Sequence, residues 1–538
     1  MKFLGGFLLA AAVSLWAALA AAANVEQWGI YEIALQGPAD GNPFVDVELS
    51  AHFTCGQTAV DARGFYDGVG TYRIRFMPTI QGDWRYQTRS NRAQLDGKTG
   101  QFLCDKPAAD NHGPVRVAGT FHFAYADGSP FVPIGTTCYG WIHQNAQLQD
   151  QTLTTLRSSP FNKIRMCVLP TTAAAIKDDP NACPFARLAD GKWDSSRFNV
   201  TFFQNLEKRI GQLRDAGVEA DVILFHPYGG KDTGFDRMDA ASDDRYARYV
   251  VARLAACRNV WWSLANEFDL VKQKTDGDWD RLFQIVQQED PYEHLRSIHF
   301  SQRMYDCSKP WVTHLSVQNG MAVADFGRAV WYRDLARKPV VFDEVCYEGD
   351  IDRRWGQLAP QEMVLRFWLG TIAGTYVGHG ESFKGNDPPA WISAGGTLRG
   401  QSPPRIAFLK SILATAPPQG IEPIDRFYET HVGGKSGEYY LLYFGQEKPT
   451  QWSFELPSEK LSDGMQFHVD VLDTWNMTVT PVDRQFKLKR LSRYLFGVEG
   501  DGKIPLPGRP YMALRITRIA APASRPTTAS SQNSELGD

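Results

Sequence analysis

The sequence predicts an α/β protein, a (β/α)8 TIM barrel flanked by N-terminal and C-terminal β-sandwich domains. From about residue 107 to 415, short apolar runs alternate with helical stretches, as expected for βα units around a parallel sheet. Eight such runs can be counted, the number a barrel needs. On both sides the pattern changes to polar/apolar alternation broken by Gly and Asp clusters, as in antiparallel sandwiches. A doubly wound open sheet is the alternative, but no Gly-rich dinucleotide or phosphate loop follows the first strand.

Met1-Lys2, an apolar stretch over 3–20 and the exit Ala21-Ala22-Ala23 read as a secretory signal peptide over 1–23. A membrane anchor is the competing reading of the same run. Cleavage would leave a secreted or periplasmic chain with no membrane attachment. Residues 24–106 form the first sandwich, with alternating runs at 44–49 and 71–76 and a turn at 66–70. The barrel occupies 107–415. Its strands are expected at 131–135, 163–168, 219–225, 260–264, 296–300, 312–317, 340–342 and 374–377. Amphipathic stretches at 202–216, 243–256 and 280–289 lie between them. Residues 416–520 return to alternation, at 438–443, 467–472 and 507–516. The Pro/Ser/Thr-rich tail 521–538 is expected to be disordered.

A formal net charge of −3 over 538 residues, with no basic run, excludes a nucleic-acid binder. The 15 tryptophans suit sugar stacking, but they equally suit large cores. Eight cysteines in an oxidising compartment allow roughly a hundred pairings, with Cys55–Cys104 the first candidate. Cys138, Cys167 and Cys346 fall near barrel strand ends and read as packing. No Cys/His spacing resembles a zinc site, so neither metal nor organic cofactor is expected. Oligomeric state is not readable.

The chemistry is carried by two strand ends. Val260-Trp-Trp-Ser-Leu-Ala-Asn-Glu267 is a buried run that ends in a carboxylate, and Pro339-Val-Val-Phe-Asp-Glu344 repeats the arrangement. A carboxylate has no place at the end of a buried strand unless it is used. In a barrel that end opens onto the active-site face. Strands four and seven face each other across the mouth, so Glu267 and Glu344 can form the carboxyl pair that retaining glycosidases hold roughly 5–5.5 Å apart. One member would protonate the leaving oxygen and the other attack the anomeric carbon. Asn266 would then lie near the sugar 2-hydroxyl.

The stretches 259–270, 294–301, 309–320, 338–350, 374–383, 402–410 and 469–479 resemble clan A of the glycoside hydrolases. The closer resemblance is to its apiosidase-like exported branch, which carries an N-terminal β-sandwich of unknown function and a C-terminal one named for collagen binding. The resemblance implies that Glu267 is acid/base and Glu344 nucleophile. It also implies that Arg165 on strand two hydrogen-bonds the nucleophile, with loop bracing as the alternative. The clan places a histidine or aromatic side chain from strand six against the nucleophile. His299 and His314 sit on strands five and six, and Gln318 is the candidate substitute.

His226, after strand three, could touch substrate or cap the strand. His379 and Glu381, after strand eight, are expected to grip sugar hydroxyls. Glu348 and Asp350 bind substrate or line the loop. Trp141 and Trp391 are stacking platforms or core, and Tyr139 reaches the pocket. The expected function is exo-acting retaining hydrolysis of a plant, algal or microbial polysaccharide or oligosaccharide. An endo-acting glycanase and a non-catalytic carbohydrate- or matrix-binding protein are the alternatives.

Overall fold

The computed structural model describes residues 24–171, 179–229, 233–385, 390–424 and 431–519. The expected signal segment 1–23 and the tail 521–538 lie outside them. The barrel strands are, in order, Gly135–Thr137, Lys163–Cys167, Glu219–Phe225, Val260–Ala265, a split fifth strand, Leu315–Gln318, Val340–Glu344 and Tyr376–His379. The fifth breaks at Ile298 into Arg296–Ser297, which pairs with strand four, and His299–Phe300, which pairs with strand six. Strand one pairs in parallel with both strand two and strand eight, so the sheet closes. Every residue of strands two, three, four and seven is buried, which is why these strands read as runs rather than as alternation. Strands seven and eight approach so closely that a Cβ on Gly378 would lie 2.6 Å from the Asp343 carbonyl oxygen.

The first strand was expected at 131–135 but starts only at Gly135. Pro133 interrupts the run, because it cannot donate to a ladder. Pro130–Phe131 joins Val115–Ala118 and His122–Tyr125 in a three-stranded antiparallel sheet instead. Phe123 and Phe131 pack on Trp261, Leu295, Val341 and Tyr376, closing the N-terminal end of the barrel. A cavity of about 400 Å³ lined by Phe131, Tyr376, Leu409 and Ile421 opens at this end, away from the candidate carboxylates.

Helices Val200–Arg214, Ala240–Leu254 and Asp276–Glu289 each start earlier than the apolar periodicity. Their caps set the starts: the side chains of Asn199, Asp239 and Thr275 accept first-turn N–H groups. Thr275 and Asp278 form a capping box.

In the N-terminal region, strand Thr58–Tyr66 serves two sheets. Its first part pairs with Leu49–Cys55, and Gly64–Tyr66 pairs with Thr71–Phe76. The expected Cys55–Cys104 disulfide is absent, and all eight cysteines are free thiols. The strands bearing Cys55 and Cys104 flank strand Gly82–Ser90 rather than pairing with each other, and two sheet spacings, about 9–10 Å, exceed what a disulfide spans. Residues 422–423 and 431–518 form antiparallel sheets around their own core, including Tyr440, Phe467, Phe486 and Leu514.

Both flanking units are fixed to the barrel. Arg75 reaches Glu207 (2.9 Å), and Arg253 reaches Asp67 (2.8 Å) and Glu207. On the other side Trp368 stacks on Tyr443 with centroids 5.4 Å apart. Among the described residues, no helix is long and apolar enough to cross a membrane.

Candidate active site

The C-terminal ends of the strands converge on Glu344, the last residue of strand seven, which is 3 % exposed. A bulge between Ser316 and Gln318 brings Gln318 opposite Glu344. Its amide donates to Oε2 at 3.1 Å. The Tyr139 hydroxyl donates to Oε1, and Arg165 Nη1 lies 3.4 Å from the same atom. His299 Nε2 is 3.9 Å away, but burial and the neighbouring Arg165 hold that imidazole well below its ordinary pKa. It is therefore neutral and not an ion-pair partner. Burial pushes the Glu344 carboxyl up to about 7, against a lowering contribution from Tyr347 and Trp355.

Glu267 follows strand four in a left-handed conformation, φ 46° and ψ 52°. A non-glycine residue there costs roughly 1–2 kcal/mol, and such strain gathers at functional sites. The turn is held by Asp269, whose carboxylate accepts the N–H groups of Ser301, Gln302 and Arg303. The Tyr228 hydroxyl donates to Glu267 Oε2 at 2.7 Å and accepts from Asn266 Nδ2 at 2.5 Å. Asn266 Oδ1 in turn accepts from Arg165 Nη2 at 2.6 Å. One hydrogen-bonded chain thus runs Glu267–Tyr228–Asn266–Arg165–Glu344. Burial and the adjacent Glu267 drive the Tyr228 phenol well above its ordinary pKa, so it stays a donor.

Beneath this chain lies a buried charge layer. Lys163 Nζ is 2.5 Å from Asp221 and 2.9 Å from Asp343. Ser316 donates to Asp343 at 2.5 Å. Burial raises the Asp343 pKa, but Lys163 and Arg165 outweigh it and hold the carboxyl well below the usual range.

The structure brings together Glu267, Glu344, Asn266, Arg165, Tyr139, His299 and Gln318. Other expected contacts are corrected. His226 uses both ring nitrogens on backbone: Nε2 with the Leu169 carbonyl (3.0 Å), and Nδ1 accepting the Tyr228 N–H (3.1 Å). Its ring stacks on Tyr228, so it supports that residue rather than meeting substrate. Trp141 is fully buried and donates to Met166 Sδ. Trp391, 2 % exposed, donates to Thr136 Oγ1. Neither has a free face for a sugar. Among the described residues, aromatic faces at the mouth include Tyr139 and Tyr228, with centroids 6.1 Å apart.

His314 lies at the opposite end of the barrel, edge-on to Trp261 and Phe123. His379 and Glu381 are each 1 % exposed. Glu381 accepts the N–H groups of Arg399 and Gly400, and Glu348 those of Gln401 and Ser402. These groups are turned away from sugar hydroxyls. Asp350 accepts the Lys384 N–H.

Sequence reasoning missed Tyr228, Tyr347, Trp355, Lys163, Asp221 and Asp343. A signal existed for three of them: Lys163 and Arg165 at i, i+2, with Asp221 and Asp343 inside other apolar runs, put charge on the inner face of buried strands. Tyr228 follows a strand in a loop and has no such signature.

A family profile described as "Apiosidase-like, catalytic domain" matches residues 118–380. Two described as domains of unknown function, DUF5060 and DUF5605, match 24–91 and 428–517. The crystal structure of "a putative glycoside hydrolase from Bacteroides vulgatus ATCC 8482" is 40 % identical, with a TM-score of 0.88 over 92 % of this chain and 100 % of that one. A glycoside hydrolase family 5 protein from the same organism shares the fold at 15 % identity and TM-score 0.54, over 76 % of this chain and 93 % of that one. A further structure, named "Glycoside hydrolase", gives 14 % identity and TM-score 0.52 over 77 % and 98 %. No curated protein matches the chain.

Proposed function

The chain belongs to the apiosidase-like glycoside hydrolases, and we propose that it is an exported retaining glycosidase with Glu344 as nucleophile and Glu267 as acid/base. The observation that carries this reading is the hydrogen-bonded chain joining the two carboxylates, which come from strands four and seven. In the first step Glu344 attacks the anomeric carbon while Glu267 protonates the departing glycosidic oxygen. A glycosyl ester on Glu344 results. In the second step Glu267, now a carboxylate, takes a proton from water, which attacks the same carbon and releases Glu344. Two inversions restore the original anomeric configuration. Tyr139, Gln318 and Arg165 fix the nucleophile's oxygens before attack. Asn266, held between Arg165 and Tyr228, retains one Nδ2 hydrogen that we assign to the sugar 2-hydroxyl.

The depth of Glu344 favours a terminal sugar entering a pocket over an internal sugar of a polymer lying in a groove. We therefore read the action as exo, on a plant, algal or microbial oligosaccharide or polysaccharide. The family description makes apiosides the first compounds to include in a screen. The leader-like 1–23 supports export, and the secreted chain is expected to begin at Asn24 by N-terminal mass spectrometry.

The test is a panel of aryl glycosides, with product configuration followed by proton NMR. Retention is expected. Glu344→Gln should abolish turnover. Glu267→Gln should lower it by about 10²–10⁴-fold, with both variants melting as cooperatively as the parent. Inverted product, or normal turnover in Glu344→Gln, would contradict the mechanism.

A further inference from the structure

Behind strand eight, three buried side chains converge without serving the active site. Glu348 and Glu381 face each other because Glu348–Gly349 and Glu381–Ser382 pair in parallel with these two residues in register. His379, two residues before Glu381, completes the group, and the ligand atoms of all three lie within 4.8 Å of one another. We propose that Glu348, His379 and Glu381 bind one divalent cation of the zinc or manganese class.

Three observations support the site. First, His379 Nε2 is buried with no hydrogen-bond partner, and it points at Glu381 Oε1 from 3.5 Å. That separation is too long for a good N–H···O bond. It matches the edge of a tetrahedron of ligands at about 2.1 Å from a metal, which is about 3.4 Å. Second, Nδ1 lies 3.2 Å from Thr136 Oγ1, and in the tautomer in which Nδ1–H donates to this hydroxyl Nε2 is left unprotonated. Phe161 stacks on the ring at 4.7 Å and holds its plane.

Third, two carboxylates are buried together, and among the described residues no Arg or Lys is ion-paired with either. They accept five hydrogen bonds from residues 399–402. Those bonds leave one lone pair each on Glu381 Oε1, Glu381 Oε2 and Glu348 Oε1, free to coordinate a cation. Gly400 is required beside them, since a Cβ there would fall 2.4 Å from Glu348 Oε2 and 2.5 Å from Glu381 Oε1.

The mixed imidazole and carboxylate set favours zinc or manganese over calcium. The ion would tie the loop after strand seven to strand eight and to the start of helix Ser402–Leu413. This departs from the absence of metal expected from sequence, where no two of the three residues show a zinc-motif spacing. It does not depend on which carboxylate attacks the sugar.

The test uses the full mature chain, stripped with chelator and titrated separately with ZnCl2, MnCl2 and CaCl2 by calorimetry, with native mass spectrometry for stoichiometry. One equivalent of zinc or manganese should bind and raise the melting temperature. His379→Ala should weaken binding at least about 100-fold, and Thr136→Ala by about 10–100-fold. Failure of the parent chain to bind any of these ions at one equivalent would overturn the proposal even if His379→Ala does not fold. So would unchanged affinity in a folded His379→Ala, or binding of calcium alone.

Discussion

At the residue scale the unusual group is Glu344. A nucleophilic carboxyl must be ionised to attack, yet burial raises this one to about 7. The acidic limb of kcat/KM is therefore expected to bend near neutrality, with activity falling about tenfold per pH unit below it. A limb centred near 4.5 would mean that substrate or solvent relieves the burial. The same shift acts on stability. A carboxyl whose pKa is raised on folding contributes fully below its unfolded value and loses that contribution as pH rises through about 7. Glu344→Gln should consequently gain melting temperature relative to the parent between pH 5 and 8, and little below pH 5. The pair Glu267 and Glu344 was legible in sequence because a carboxylate ending a buried run stands out. The roles of Trp141, Trp391 and His226 were not. An aromatic ring or imidazole satisfies a core and a sugar site equally well, and only the packed neighbours decide.

At the scale of elements, barrel strands were legible as apolar runs because both faces are buried. Strand one was misplaced because a proline inside the run divides it between the barrel and the sheet beneath. The charged layer formed by strands two, three and seven was invisible to a reading that looked only at strand ends. It makes its own prediction. Lys163→Met leaves Asp221 and Asp343 buried without their shared cation. Removing one partner of such a group costs about 3–5 kcal/mol. Denaturant titration should give a midpoint shift of that size, whereas an unchanged midpoint would mean the layer is hydrated or protonated.

At the scale of the molecule, the N-terminal sandwich and the barrel share one continuous core, in which Phe53, Phe76 and Trp84 are continuous with the barrel residues. Arg75, Asp67, Glu207 and Arg253 cross the same junction. These two units should unfold in one calorimetric transition, and a chain lacking residues 24–105 should aggregate rather than melt as a free barrel. Two well-separated transitions for them would contradict the shared core. The sandwiches were legible from alternation alone, but their junctions were not, because the ion pairs join residues more than a hundred positions apart. The most direct test of the account is covalent trapping. The parent enzyme should be incubated with the 2-deoxy-2-fluoro analogue of its best aryl glycoside, digested, and mapped by mass spectrometry. The label is expected on Glu344 alone. A label on Glu267, Glu348 or Glu381, or inactivation without any sugar adduct, would contradict the assignment.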